Sequence, residues 1–373
     1  MAPSGQRPPK IHALTSLRFF AALYVVCYHT AWSFLPWLER GSVVGRFVDL
    51  GYISVSFFFL LSGYILSVVY LRGDGPVQRA SFYRARFARV YPLFLLTLLM
   101  DVPVVLAGWV ARFGVKAAMG KLATTLWGSL LMLQGWNLRF RYLDYPNWSL
   151  SVEAFLYLVF PVVGVALWKL RGKSVWIAAA VVYLGGQAAV WVVARHMSGD
   201  LAYRFPLLHL STFALGVLLA RHEALHRGDK PAGAGVLWAS LIASLICLGA
   251  VAYWAQRIPN MNIRDGLLAP IFVAAIWAFA KPNWNAARWL SAPWLVVLGE
   301  ASFGLYLFHI PVYNIFDWFG WSHGGVAFPV YLVVATGLSV LSFYYFETPT
   351  RRWLLKKRRA HVKETMEMAS DAQ

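Results

Sequence analysis

Hydrophobic and polar positions fall in long blocks along this chain. Apolar runs occupy roughly 13–37, 50–71, 88–111, 122–136, 149–168, 174–194, 205–220, 234–255, 266–280, 295–316 and 326–346. A helix needs about 20 apolar residues to span a bilayer, with a range of about 17–25. These eleven runs pass or approach that length. The fourth, LATTLWGSLLMLQGW, is among the shortest and is flanked by cations. The pattern predicts an all-α polytopic membrane protein. Residues 12–350 form one integral-membrane domain, between a disordered basic N-terminus (1–11) and a basic cytoplasmic tail (351–373).

Charge between the runs orients this frame, because cytoplasmic loops carry the excess of Lys and Arg. Arg7 and Lys10 read as inside. So do the cations between Arg72 and Arg89, Lys169 to Lys173, Arg221 to Lys230, Lys281 to Arg288, and the tail. All of these are inside together if residues 112–147 begin and end outside, although Arg112, Lys116 and Lys121 then sit on the unfavoured side. The run near 122–136 becomes a re-entrant or interfacial segment. Residues 317–325, without Lys or Arg, suit the outside. The expectation is about ten transmembrane helices with both termini cytoplasmic.

Composition agrees. Hydrophobic residues make up 59% and charged residues 13%, against about 25% charged in soluble domains. Mean hydropathy is +0.56. Eighteen Trp and 18 Tyr fit two interfacial belts. The net charge of +18 invites a nucleic-acid reading, but the cations lie in short clusters between apolar runs and no nucleic-acid motif is present. The tail from Arg351 to Arg359 fits anionic headgroups better. Cys27 and Cys247 lie within apolar runs and give neither a disulfide framework nor metal-ligand spacing. A cleaved signal peptide is not expected, since the first run is of span length and lacks a small-residue cleavage site.

Ionisable residues inside spans cost about 2.5–3.5 kcal/mol each on insertion scales, so they face a cavity or a partner. Arg18 lies near the inner end of the first run and His29 toward its outer part. Eleven steps of about 100° bring them to within roughly 20° of one helix face, about 16 Å apart. Ala22 and Val25 lie between them. The pair brackets an apolar lane; equally, Arg18 snorkels and His29 bonds a neighbouring helix. In NWSLSVEAFLY, Ser149, Glu153 and Tyr157 share a face. Glu153 lies at a depth similar to that of His29 and is placed to orient an imidazole, or else it serves the positive end of its own helix. Arg86 and Arg89, three apart in FYRARFARVYP, are suited to gripping phosphates or to plain anchoring. His309, with Tyr306 three before it, lies mid-membrane, where a helix–helix hydrogen bond is the ordinary role. Ser62 and Gly63 sit in a wall of Phe, where small residues allow close packing. Glu347, near the inner face, is placed to pair with Arg18 or a loop Arg.

Taken in order, these motifs resemble one known family. The opening Arg-x10-His (Arg18, His29), FFFLLSGY, RARFARVYP, NWSLSVEAFLY, GEASFGLYLFHIPV and the closing YYFETP are similar to the integral-membrane acyltransferase family three, of the O-antigen and macrolide O-acyltransferase type. The resemblance covers nearly the whole chain. It implies transfer of an acyl group, usually acetyl, from cytoplasmic acyl-CoA to a hydroxyl on a sugar, polysaccharide or glycoside. The acyl-CoA is a co-substrate, with no permanently bound cofactor and no metal. The family's span-one pair carries over to Arg18 and His29, its donor-binding Arg pair to Arg86 and Arg89, and its acidic residue to Glu153. Longer members have a fused hydrolase-like outer domain that these residues lack, so a second, extracytoplasmic transfer step is not expected here.

The resulting expectation is an O-acyltransferase in the inner (plasma) membrane. His29 acts as general base, Glu153 orients it, and Arg18 meets the donor or developing charge. Ser62, Tyr306 and His309 are candidates for oxyanion or substrate contacts. The alternative is a transporter of a glycoside or acyl donor using the same buried charges.

Overall fold

Apolar run and helix coincide for most of the chain. The computed structural model describes residues 11–71, 77–227, 232–254, 262–281 and 284–356. The N-terminal expectation over 1–11 and the tail beyond 356 therefore fall, apart from Ile11, outside the described residues. The helices are α1 (His12–Phe34), α2 (Val43–Asp49), α3 (Ile53–Tyr70), α4 (Arg79–Phe113), α5 (Val115–Leu130), α6 (Trp148–Trp168) and α7 (Lys173–His196). They continue with α8 (Gly199–Ala202), α9 (Leu210–Leu225), α10 (Ala234–Trp254), α11 (Ala269–Phe279), α12 (Asn285–Leu290), α13 (Pro293–Trp318) and α14 (Ala327–Ser342). After α14 a π-turn, Phe343–Glu347, leads into further helix that reaches Lys356. The described residues contain no strand.

Seven stretches among the described residues are long and apolar enough to cross a membrane: Val43–Tyr70, Arg79–Phe113, Tyr145–Trp168, Lys173–His196, Ala234–Trp254, Pro293–Trp318 and Ala327–Lys356. The protein is thus an all-helical, multi-pass membrane protein. The expected count of about ten is higher for identifiable reasons. At 23 residues α1 has the length, but Arg18 and His29 dilute its hydropathy. α9 and α11 are short, at 16 and 11 residues.

The fourth run is displaced from its expected place near 122–136. Its helix, α5, covers 115–130 and ends in a left-handed turn at Met132 (φ 54°). There the Met132 amide donates to Ser129 O (2.8 Å) and the Leu133 amide to Gly128 O (2.8 Å), the paired bonds of a Schellman cap. The chain then returns without long helix. Leu130 O accepts from Tyr91 of α4 at 3.1 Å, and the Asp144 amide donates to Asp101, further along α4, at 2.8 Å. The awkwardly placed Lys121 lies over the rings of Tyr142 (4.0 Å), Trp109 (4.6 Å) and Phe113 (5.1 Å). Aromatic faces stabilise a cation there.

Burial separates centre from periphery. α3 and α13 are mostly enclosed, whereas 6% of the apolar window of α7 and 11% of that of α10 is buried. Exposed Trp176, Trp238 and Trp294 lie near the N-termini of α7, α10 and α13, and exposed Trp254 and Trp318 at the C-termini of α10 and α13. Such rings at both helix ends are the signature of two membrane interfaces.

Two close crossings hold the centre. α3 and α9 run antiparallel and meet at glycines: a Cβ on Gly63 would fall 2.1 Å from Phe213 O, and one on Gly216 2.0 Å from Leu60 O. Gly63 thus serves close packing. α1 and α13 run parallel. A Cβ on Gly299 would fall 2.1 Å from Thr15 O, and further along Tyr313 donates to Ser33 at 2.8 Å. Overpacking a tight contact costs about 1–3 kcal/mol, occasionally more. Gly216→Val is therefore expected to lower the thermal midpoint of the detergent-solubilised protein sharply. Gly108→Ala, where a Cβ meets nothing within 4 Å, should leave it unchanged.

Candidate active site

A cavity of about 930 Å³ opens among α1, α3, α4, α6, α13 and the helix after the π-turn. Arg18, Ser62, Arg86, Arg89, Glu153 and Tyr306, all singled out from sequence, line it. So do Ser149 and Tyr157, which puts the expected one-faced set of α6 on a single wall.

The cationic end is built from α4. Arg86 donates to the Tyr70 hydroxyl at 3.2 Å and lies over the rings of Tyr70 (5.6 Å) and Tyr157 (5.8 Å). Its Nε is buried without a hydrogen-bond partner. Glu153 accepts from Tyr157, one turn along α6. That bond corrects an expectation: the structure gives Glu153 to Tyr157, and the partner of His29 is His309. Depth along a span, which motivated the Glu153–His29 pairing, says nothing about which way each helix is rotated. Among the described residues Glu347 forms no ion pair within 4.0 Å, although it lies within electrostatic range of Arg89 and Arg18. Its Oε1 is buried without a hydrogen-bond partner, and a Cβ on Gly304 of α13 would lie 3.2 Å from it.

At the other end the cavity meets a hydroxyl pair. Tyr306 and Ser149 are 2.7 Å apart, and each lies 3.1 Å from Pro146 O. One turn further along α13, His309 is fully buried. Its Nδ1 is 2.5 Å from Tyr306 O, and its Nε2 is 3.0 Å from His29 Nδ1. A carbonyl only accepts, so His309 Nδ1 carries a proton. In a neutral ring Nε2 is then the acceptor, and His29 Nδ1 must donate to it. The consequence is a bare lone pair on His29 Nε2. The two rings stack at 5.2 Å, and Tyr145 stands edge-on to His29 at 5.1 Å. Tyr331 donates to His309 O at 2.8 Å, fixing this turn of α13.

His29 and His309 are not on the cavity wall itself. Ala22 and Val25, between Arg18 and His29, are packed into the core. The expected lane along α1 is closed, because parallel α13 covers that face. Tyr306 joins cavity and histidines, since it lines the cavity and its carbonyl accepts from His309. His309 has both ring nitrogens engaged, one by Tyr306 O and one by His29.

The segment that walls His29 is pinned by buried polar groups. Asp101 accepts from the Asp144 amide (2.8 Å) and from Asn314 (2.6 Å), and Asn147 donates to Asp144 at 2.8 Å. Burial, then the neighbouring Asp101, pushes the Asp144 carboxyl well above the usual carboxylate range. The two bonds to Asp101 join residues 43 and 213 positions apart, which spacing along the chain does not reveal. Among the described residues no three His, Cys, Asp or Glu side chains gather to hold a metal.

Comparison with known proteins adds to this geometry. A family model described as an acyltransferase domain matches residues 11–346. Acyltransferase MdmB of Streptomyces mycarofaciens is 30% identical, over 82% of this chain and 80% of its own. Nodulation protein 10 of Rhizobium leguminosarum bv. viciae is 27% identical, over 90% of this chain and 92% of its own. O-acetyltransferase OatA of Staphylococcus aureus is 22% identical over 92% of this chain, which spans 58% of OatA. No solved structure matches.

Proposed function

This chain belongs to the integral-membrane acyltransferase family three, and we propose that it moves an acyl group, acetyl in the simplest case, from cytoplasmic acyl-CoA to a hydroxyl of a sugar, polysaccharide or glycoside. The observation that carries this reading is the juxtaposition of an arginine-lined cavity with a histidine whose Nε2 is left free by its hydrogen bonds. An O-linked acceptor is supported by O-acetyltransferase OatA, and a carbohydrate one by a putative peptidoglycan O-acetyltransferase, YrhL of Bacillus subtilis, 25% identical over 91% of this chain and 55% of YrhL.

In this account Arg86 and Arg89 hold the donor's phosphates at the cytoplasmic mouth, and Arg18 lies further along the acyl-bearing arm. The thioester carbonyl reaches Tyr306. The acceptor hydroxyl approaches His29 from the outer side, and its proton passes to His29 Nε2 as its oxygen bonds the carbonyl carbon. The C–S bond breaks, and the thiolate takes a proton in turn. Tyr306 and Ser149, whose hydroxyls share one carbonyl at rest, are free to turn a donor toward the oxyanion. Imidazolium at His29 keeps its Nδ1–H bond to His309, now charge-assisted. The topology behind this is ten crossings of the plasma membrane, with both termini cytoplasmic and α5 not crossing. The parallel course of α1 and α13 supports it: on that count they are the first and ninth crossings.

His309 acts through His29, so its loss should affect turnover rather than binding. His309→Ala is expected to lower kcat about 10–100-fold with donor KM unchanged and to displace the pH–rate profile. An unchanged kcat and profile would remove His309 from the account.

A further inference from the structure

The helix after the π-turn reaches the same cavity and brings two guanidiniums that the donor site above does not use. Thr348, Arg351, Arg352 and Leu355 follow i, i+3, i+4, i+7 spacing, and all four line the cavity. An extra residue in a π-turn rotates the succeeding helix by about 100° relative to continuous α-helix, which sets this face. Arg84 of α4 ties the segment down, its Nη2 donating to Leu354 O (2.7 Å) and Leu355 O (3.4 Å).

Charge then decides what this lip is for. Five arginines line the cavity (18, 86, 89, 351 and 352) against two carboxylates, Glu153 and Glu300, an excess of three positive charges. Among the described residues neither Arg351 nor Arg352 is in an ion pair, and Arg351 lies within electrostatic range of Arg89 and Arg86, with Glu300 a weaker opposing neighbour. Like charges gathered on one cavity repel unless an anion of several charges joins them. A phosphomonoester alone carries about −1.5 to −2. Arg86 is largely enclosed, whereas Arg351 and Arg352 are exposed at the rim. The two pairs therefore meet phosphates at different distances from the reacting carbonyl.

We propose that Arg351 and Arg352 form an outer phosphate clamp that recognises the phosphate furthest from the thioester, the 3′-phosphate on the adenosine of the donor, with Arg84 as the positioning residue. This rests on the acyl-CoA reading above. Planar guanidinium forks suit a phosphomonoester, and two of them on one helix face grip it from one side. An anionic lipid headgroup offers the same chemistry at the same depth, so the test separates the two sources.

The experiment titrates CoA and 3′-dephospho-CoA into full-length protein in nanodiscs of purely zwitterionic lipid, and again with phosphatidylglycerol added. Wild type is expected to favour CoA over dephospho-CoA by about tenfold or more in both discs. Arg351→Ala/Arg352→Ala, with an unchanged thermal midpoint, is expected to bind the two alike. Arg84→Ala should weaken the preference in the same direction if the double variant fails to fold. A double variant that keeps the wild-type preference while wild type binds CoA overturns the clamp and leaves the donor reading standing. A variant effect confined to discs with phosphatidylglycerol assigns the arginines to lipid and also overturns it. Wild type that binds neither nucleotide contradicts the acyl-CoA reading itself, and the clamp with it.

Discussion

His29→Ala is expected to lower acyl transfer by about 10²–10⁴-fold while donor binding stays at the wild-type level. The reason lies in the proton count around two rings. His309 spends Nδ1–H on Tyr306 O and accepts from His29 with Nε2, so the only function left to His29 Nε2 is to take a proton from outside the pair. The measurement is radiolabelled acetyl transfer from acetyl-CoA to a panel of glycosides, alongside calorimetric donor binding. Near-normal turnover in the variant would remove His29 from the chemistry. Loss of donor binding would recast it as part of the cavity.

Arg86→Ala/Arg89→Ala is expected to have the opposite signature. A hydrogen bond to a charged group is worth about 1.5–3 kcal/mol, so losing two weakens donor binding by about 10²–10⁴-fold, as each 1.4 kcal/mol is tenfold. Arg86 is the stronger contributor. It lies over the rings of Tyr70 and Tyr157, lines the cavity, and its Nε is buried without a hydrogen-bond partner. Calorimetry in nanodiscs reads the loss directly. Turnover at saturating donor should fall far less than affinity, because neither arginine reaches the histidines. Retained micromolar affinity would leave this pair as membrane anchors.

Much of the frame was legible because the bilayer makes it so. A span must satisfy its own backbone and shed its charges, so apolar runs such as 174–194 and 234–255 map directly onto α7 and α10. The end of α5 was hidden. A Schellman cap usually announces itself by glycine, and here Met132 takes the left-handed position in the middle of an apolar run. Arg18, Ser62, Arg86, Arg89, Glu153 and Tyr306, each singled out from the sequence, line one cavity.

What spacing could not supply was rotation between helices. His29 and His309 are 280 residues apart, and only the parallel packing of α1 on α13 brings their nitrogens to 3.0 Å. The same ignorance assigned His29 to Glu153, whose carboxylate Tyr157 takes up within one helix. Arg351 and Arg352 looked like headgroup anchors because a basic helix end reads alike whether it faces lipid or a cavity. The π-turn that sets their direction leaves no mark in YYFETP that separates it from ordinary helix.

The most direct test places purified protein in sealed proteoliposomes, with acetyl-labelled acetyl-CoA on the side of the Arg86–Arg89 mouth and a glycoside acceptor on the other. Label is expected in an ester on the glycoside, with free CoA retained on the donor side, both lost in His29→Ala. Intact acetyl-CoA or glycoside crossing the bilayer with no ester formed would contradict it and make the protein a transporter.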